Sequence, residues 1–228
     1  MSLYLILEII VITIPLIFSF DKNLRFYRNW KSVLLSLILV SAIYIPVDSY
    51  FTMHGIWGFN PHYNSGIVIL YLPLEEWLFF LVIPYASIFL HYTFIYYFPK
   101  VMLNNNVSRM LSVFFIILLV IICLLNYPKT YTLINSILLT GVLVFSFFDK
   151  SGIINRFYIT FLIILVPFLI LSAILTGSFT KEEVYWYNNT LNLGIRIFSI
   201  PVEDVGFAFG LLLLNLLLIN KFQKLFKR

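Results

Sequence analysis

The residues best suited to chemistry in this chain are two pairs of adjacent carboxylates. Pro73-Leu74-Glu75-Glu76-Trp77-Leu78-Phe79 returns, 128 positions later, as Pro201-Val202-Glu203-Asp204-Val205-Gly206-Phe207. Each pair heads a long apolar run, where charge is costly and acids are candidates for function by default. Carboxyl groups can give and take protons, so the chemistry they offer is general acid–base catalysis. Acids at a helix start also complement the helix dipole. One pair alone would leave capping and function balanced, but its duplication in a Pro-x-Glu-acid frame favours function. The same offset matches Asp21-Lys22 with Asp149-Lys150, Arg28 with Arg156, Asn60 with Asn188, Asn64 with Asn192 and Gly66 with Gly194. A register shared so widely indicates duplication of one unit.

Proline at 73 and 201 fits the first helical position, which leaves Glu75 and Glu203 in the first turn. Glu76 and Asp204 follow about 100° further round the helix. One acid of each pair can then face the interior while its neighbour points sideways. If the pairs converge in a dry chamber, burial outweighs the dipole's roughly 0.3–1 kcal/mol. At least one carboxyl would then keep its proton as a general acid, with an ionised neighbour as base. The stretch Asp48–Asn60, holding Trp57, and its counterpart Thr180–Asn189, holding Tyr185, Trp186 and Tyr187, are rich in aromatic and polar side chains. Aromatic faces stabilise a cation by roughly 0.5–2 kcal/mol each. An interfacial aromatic belt explains the same composition equally well for Trp57 and Trp186, and better for Tyr96, Tyr97 and Tyr158.

These residues need membrane helices to position them. Of 228 residues, 61% are hydrophobic and only 11% charged, with a mean hydropathy of +0.98; soluble domains carry about 25% charged residues. Seven runs approach the roughly 20 apolar residues that cross a bilayer: Leu3–Phe20, Ser32–Val47, Pro73–His91, Met110–Leu125, Thr130–Phe148, Phe157–Leu175 and Pro201–Asn220. Leu3–Phe20 lacks the basic start and small-residue cleavage site of a secretory signal and is expected to remain as the first span. With the N-terminus outside, twelve of the fifteen basic residues fall on the cytoplasmic side: Lys22, Arg25, Arg28, Lys31, Lys100, Arg109, Lys150, Arg156, Lys221, Lys224, Lys227 and Arg228. Lys129, Lys181 and Arg196 alone lie opposite, which satisfies the positive-inside rule. The loops Asp48–Leu72 and Thr176–Ile200, and both acidic pairs, are then outside. Three spans per unit would invert the second copy, and a fourth span restores its direction. The expected fold is all-α and integral to the cell membrane: a repeat over 1–98, a linker and fourth helix over 99–128, and a second, parallel repeat over 129–228.

Several absences narrow the chemistry. Cys123 is alone, which excludes an internal disulfide and a cysteine-based metal site. His54 and His62 lack ligand spacing, and His91 reads as structural. Glu8, inside the first span, should face inward, and it has no repeat counterpart to support a catalytic role. There is no dinucleotide turn, P-loop or aspartate-rich magnesium motif, and the last span holds no interior lysine for a retinal Schiff base. The net charge of +5 reads as topology rather than nucleic-acid binding. Gly206-x-x-x-Gly210 permits close helix approach, for which packing within one chain suffices.

The ordered set of motifs resembles the lycopene cyclase domain family of membrane carotenoid cyclases, which occur as two small subunits or as their fusion. The resemblance rests on Asp48…Gly55-Ile56-Trp57-Gly58-Phe59-Asn60 with Pro73-Leu74-Glu75-Glu76-Trp77-Leu78-Phe79-Phe80, and on Asn188…Leu193-Gly194-Ile195-Arg196 with Pro201-Val202-Glu203-Asp204. It implies cyclisation of the linear ends of lycopene, or a related carotenoid taken from the bilayer, into β-ionone rings without net redox change. Within it, Glu75 and Glu203 are expected as the acid–base core, with Glu76 and Asp204 as partners. Asp48, Trp57, Asn60, Trp77, Trp186 and Asn188 are the candidates for holding substrate or sheltering a cation. Neither a metal nor a flavin is implied, since the flavin-dependent cyclases carry a dinucleotide motif absent here. The partners expected are the carotenoid and membrane lipid, and a homo-oligomer is compatible with the sequence. Two other readings stay open: a small transporter of the same three-plus-one-plus-three layout, and a non-catalytic carotenoid-binding protein.

Overall fold

The computed structural model describes residues 2–226; Lys227 and Arg228, counted above among the basic residues, lie outside the described residues. Among the described residues the chain forms seven α-helices: α1 (Leu3–Phe18), α2 (Trp30–Met53), α3 (Leu74–Tyr97), α4 (Asn105–Leu125), α5 (Thr130–Ser146), α6 (Ile153–Leu175) and α7 (Val202–Phe226). Five of them, α2, α3, α4, α6 and α7, are long and apolar enough to cross a membrane, as befits an integral membrane protein. Helices α1 and α5, of 16 and 17 residues, are shorter than expected. At 1.5 Å per residue they reach roughly 25 Å.

The sequence expectation was most wrong for α2 and α4. Asp48 was expected to open an outer loop; instead α2 runs on to Met53, and Asp48 is buried within it. An acid ends an apolar run on paper, but a helix carries it onward when the carboxyl turns towards other polar groups. Helix α4 starts at Asn105, ahead of the expected Met110, because Asn104 caps it by accepting from the Asn106 amide.

The expectation of an all-α chain also misses six short strands in the loops: β1 (Trp57–Phe59), β2 (Val68–Ile69), β3 (Leu72–Pro73), β4 (Tyr185–Tyr187), β5 (Arg196–Ile197) and β6 (Ile200–Pro201). Hairpin β2–β3 leads directly into α3, and β5–β6 into α7. Pro73 is therefore not the first helical residue but the extended cap before it, at φ −64° and ψ 154°. Pro201 likewise ends β6, one residue ahead of α7. Exposed apolar residues turn both hairpins: Leu70 and Tyr71 in the first and Phe198 in the second, all three with positive φ.

Residues 128 apart make matching contacts. Leu74 donates its amide to Ile67, and Val202 to Ile195. Asn64 accepts from the amide of Gly66, and Asn192 from that of Gly194, each glycine holding the positive φ that its turn requires. The long loops pair through β1 and β4, with Gly58 opposite Trp186. On either side Asn60 donates to the Val184 carbonyl and Asn188 to that of Ile56. A Cβ at Gly58 would stand 2.6 Å from the Trp186 ring, so this position has no room for a side chain. Helix α1 packs chiefly on α3 and α5 on α7, while α2 lies against α7 and α6 against α3. Leu139 of α5 fills the space over Gly206 and Gly210, so this small-residue pair serves packing within the chain.

Candidate active site

The helices gather acidic side chains beneath the β1–β4 ribbon. A small chamber of about 50 Å³ lies between α1, α2, α3, α5, α6 and α7, lined at one end by Trp57 and by Tyr185 and Tyr187 of β4. Three carboxyls line it: Asp48 from α2, Glu76 from α3 and Asp204 from α7. All three are at least nine-tenths buried. The Tyr4 hydroxyl of α1 donates to Glu76 Oε2 at 2.6 Å. Tyr131 of α5 donates to Asp204 Oδ1 at 2.5 Å and Tyr187 to Oδ2 at 2.6 Å. Asp48 and Glu76, from neighbouring helices, thus face the same small space.

The neighbouring acids do different work. Glu75 turns back to the loop ahead of its helix, where Ser2 Oγ and the Ser65 amide both donate to Oε1 at 2.6 Å and Ser65 Oγ to Oε2 at 3.1 Å. Glu203 accepts from Thr132 Oγ1 at 2.6 Å and from the Leu193 amide at 2.7 Å. Ser65 and Leu193 are again 128 apart, so the two glutamates make the same loop clamp. Neither glutamate lines the chamber. The one-residue step round the helix foreseen from sequence is present, but it is the second acid of each pair that faces the chamber.

Of the other sequence candidates, only Trp57 joins Asp48 at the chamber wall. Its ring stacks on Tyr187, with centroids 5.8 Å apart, and meets Tyr185 edge-on at 5.5 Å. Trp186 lies flat on Gly58, half exposed and away from the acids. Trp77 donates its indole N–H to the Ile69 carbonyl and ties down the β2–β3 hairpin. Asn60 and Asn188 accept from the amides of His62 and Thr190, which makes both of them turn residues. Tyr158, expected at the interface, is buried and shares a hydrogen bond with Ser112. Among the described residues, no group of three or more His, Cys, Asp or Glu could hold a metal ion.

Tyr4 and Tyr131 escaped the sequence reading. They sit one residue out of the repeat register, because Ser2 and Tyr4 serve Glu75 and Glu76 while Thr132 and Tyr131 serve Glu203 and Asp204. No fixed offset aligns both sets, so spacing alone carries no signal for them. Outside the helices, burial pushes the Tyr185 phenol well above its ordinary range, and the Asp204 and Glu76 carboxyls push it further. Burial and Asp204 do the same for Tyr187. Both phenols therefore stay neutral donors. Glu8, one turn along α1 from Tyr4, is buried with no partner for either carboxyl oxygen.

Comparison with known proteins agrees with this picture. The family model "Lycopene cyclase" matches residues 1–94 and 128–222. The chain belongs to the lycopene cyclase family. The two matched segments flank α4 and leave all of it outside. The chain is also similar to a bifunctional lycopene cyclase/phytoene synthase of Phycomyces blakesleeanus, at 40% identity over 63 residues, 27% of this chain. That stretch spans only 10% of the relative's length. No solved structure matches the chain.

Proposed function

We propose that this chain is a lycopene β-cyclase whose acid–base group is Glu76, Asp48 and Asp204, with Glu75 and Glu203 holding the loops that close the site. The observation that carries this reading is the meeting of three buried carboxyls from α2, α3 and α7 in one chamber walled by aromatic rings. Solvating an isolated charge there is expensive, so the group retains a proton between Asp48 and Glu76. That proton is delivered to the terminal double bond of a linear end. The tertiary cation so formed is attacked by the neighbouring double bond, which closes the six-membered ring and moves the positive charge onto it. A carboxylate then removes a ring proton to leave the β-ionone double bond. One proton enters and one leaves, so no redox partner is required. The faces of Trp57, Tyr185 and Tyr187 shelter the cation, and the phenols donating to Glu76 and Asp204 orient the carboxyls.

A chamber of about 50 Å³ holds a guest the size of water. Entry of an isoprenoid end therefore requires wall residues such as Phe168 and Phe207 to swing aside, with the polyene arriving sideways from the bilayer. Cyclisation at one end gives γ-carotene and at both ends β-carotene.

The architecture that fits this chemistry is the one expected from the sequence: two parallel three-helix repeats, over 1–98 and 129–228, joined by α4. The matching contacts across the 128-residue offset and the crosswise packing of α2 on α7 and α6 on α3 support it. A pseudo-two-fold axis through the Gly58–Trp186 pair then relates Glu76 to Asp204. The distribution of basic residues supports a chamber near the outer face of the cell membrane, with the N-terminus outside.

Expression in bacteria that accumulate lycopene, followed by pigment extraction, tests the reading. New γ- or β-carotene is the expected outcome. Unchanged lycopene, with the protein present in the membrane, would favour a binding or transport role instead.

A further inference from the structure

A second, larger cavity lies at the opposite end of the bundle, and the cyclase reading makes no use of it. It has a volume of about 810 Å³ and is bounded by the end of α3, the starts of α4 and α6, the α5–α6 connection and the last turns of α7. Arg109, Lys150 and Arg156 line it, against a single carboxylate, Asp149. That carboxylate is already occupied, accepting from Ser151 and from Asn220.

Two helix N-termini open into the same space. Helix α6 begins after Gly152, at φ +73°, with Ser151 Oγ accepting from the Ile153 amide and the Gly152 carbonyl from that of Asn155, which leaves the Ile154 amide without a partner. Helix α4 contributes Asn105 and Ser108 from its first turns. Ser108 is 1% exposed, and its hydroxyl has no hydrogen-bond partner. A buried hydroxyl left unpaired is destabilising unless a ligand engages it. Its neighbours are satisfied: Ser112 bonds the Ser108 carbonyl and the Tyr158 hydroxyl, and Asn155 donates to Asn105. The cavity thus combines three cations, two helix starts and an idle buried donor, with its one acid engaged elsewhere.

The positive-inside rule accounts for basic residues at this end, but not for helix starts and an unpaired serine converging on one cavity. Oriented amides and guanidinium groups match a compact anion with several oxygens. We propose that this cavity is a binding site for a phosphate group, carried either by an anionic lipid headgroup or by a soluble phosphate compound. Arg109, Lys150 and Arg156 supply the charge, Ser108 a buried donor, and the start of α6 the Ile154 amide.

The test uses the full chain. In neutral detergent, sodium diphosphate is titrated against thermal stability, with sodium chloride at matched ionic strength as the control. In parallel, protein from nanodiscs of phosphatidylcholine mixed with phosphatidylglycerol is examined for retained lipid by native mass spectrometry. Binding of diphosphate identifies a soluble ligand, and selective retention of phosphatidylglycerol identifies a headgroup; either outcome supports the site. Removing one cation with Arg109→Gln or Arg156→Gln should weaken binding about tenfold. The combined Arg109→Gln, Lys150→Gln and Arg156→Gln variant should abolish it. A second triple variant, Lys22→Gln, Arg28→Gln and Lys100→Gln, removes equal charge at the same end but outside the cavity and should bind as the wild type does. The single variant Arg109→Gln, at an exposed side chain, keeps the test readable if the triple variant does not fold. A wild-type protein indifferent to both probes overturns the proposal, as does equal loss of binding in the outside-cavity variant.

Discussion

Two carboxyls adjacent in sequence occupy different regions of this molecule. Glu75 and Glu203 belong to the collar of loops and hairpins, where backbone amides and hydroxyls hold them as fixed acceptors. Glu76 and Asp204 belong to the chamber, where their partners are phenols and Asp48 shares the same wall. A carboxyl bonded to loop amides and hydroxyls holds backbone in place and does not face the chamber. On the proposed reading, the chamber acids hold the proton that an alkene takes. One helical step of about 100° separates these roles.

Substitution by glutamine separates the two regions most sharply. Glu76→Gln should lower ring formation about a thousandfold, the middle of the range for a lost general acid or base. Membrane insertion should stay intact. Glu75→Gln should cost less than about tenfold in product, and equal pigment profiles from the two variants would dissolve the distinction. Tyr131→Phe leaves Asp204 with Tyr187 as its remaining phenol donor. About a tenfold slower cyclisation is expected, measured as γ- and β-carotene formed per unit of protein.

Stability should rank the other way. Glu75 accepts three hydrogen bonds and Glu203 two. Hydrogen bonds to charged groups contribute about 1.5–3 kcal/mol each at most. Glu75→Gln should therefore lower the unfolding temperature in detergent more than Glu203→Gln, and both more than Glu76→Gln. A larger drop for Glu76→Gln would mean that the chamber acid, not the collar acid, holds the fold.

The smallest effect concerns the aromatic end of the chamber. The Tyr185 phenol is held protonated in the folded state above the ordinary tyrosine value of 10.0. Its contribution to stability is complete below that pH and is lost as the pH rises from there towards the folded value. Tyr185→Phe should flatten the alkaline side of the stability profile without shifting its neutral plateau. An unchanged alkaline limb would remove Tyr185 from the buried chamber lining.

Much of this organisation was legible in the sequence. The seven apolar runs, the 128-residue register, the acidic helix starts and the family resemblance needed only composition and spacing. The repeated asparagines and glycines were visible too, but their use was not. Asn60 and Asn188 look like site residues on paper and are turn residues in the fold, as the repeated Asn64 and Asn192 are too. A repeated polar residue marks a repeated local structure as readily as a repeated reaction. Tyr4 and Tyr131 were hidden because each reaches its acid from a different helical position.

By itself, the amino-acid order determined that the chain enters the membrane, how many helices it forms and that two acid pairs begin equivalent helices. These are matters of hydrophobicity and local pattern, written along one dimension. Which acid of each pair faces the chamber, that Asp48 stands inside a helix beside Glu76, and that Trp57 rather than Trp186 walls the site were decided by tertiary structure. Side-chain direction depends on helix rotation and on the partners other helices bring, and those partners lie far away in sequence.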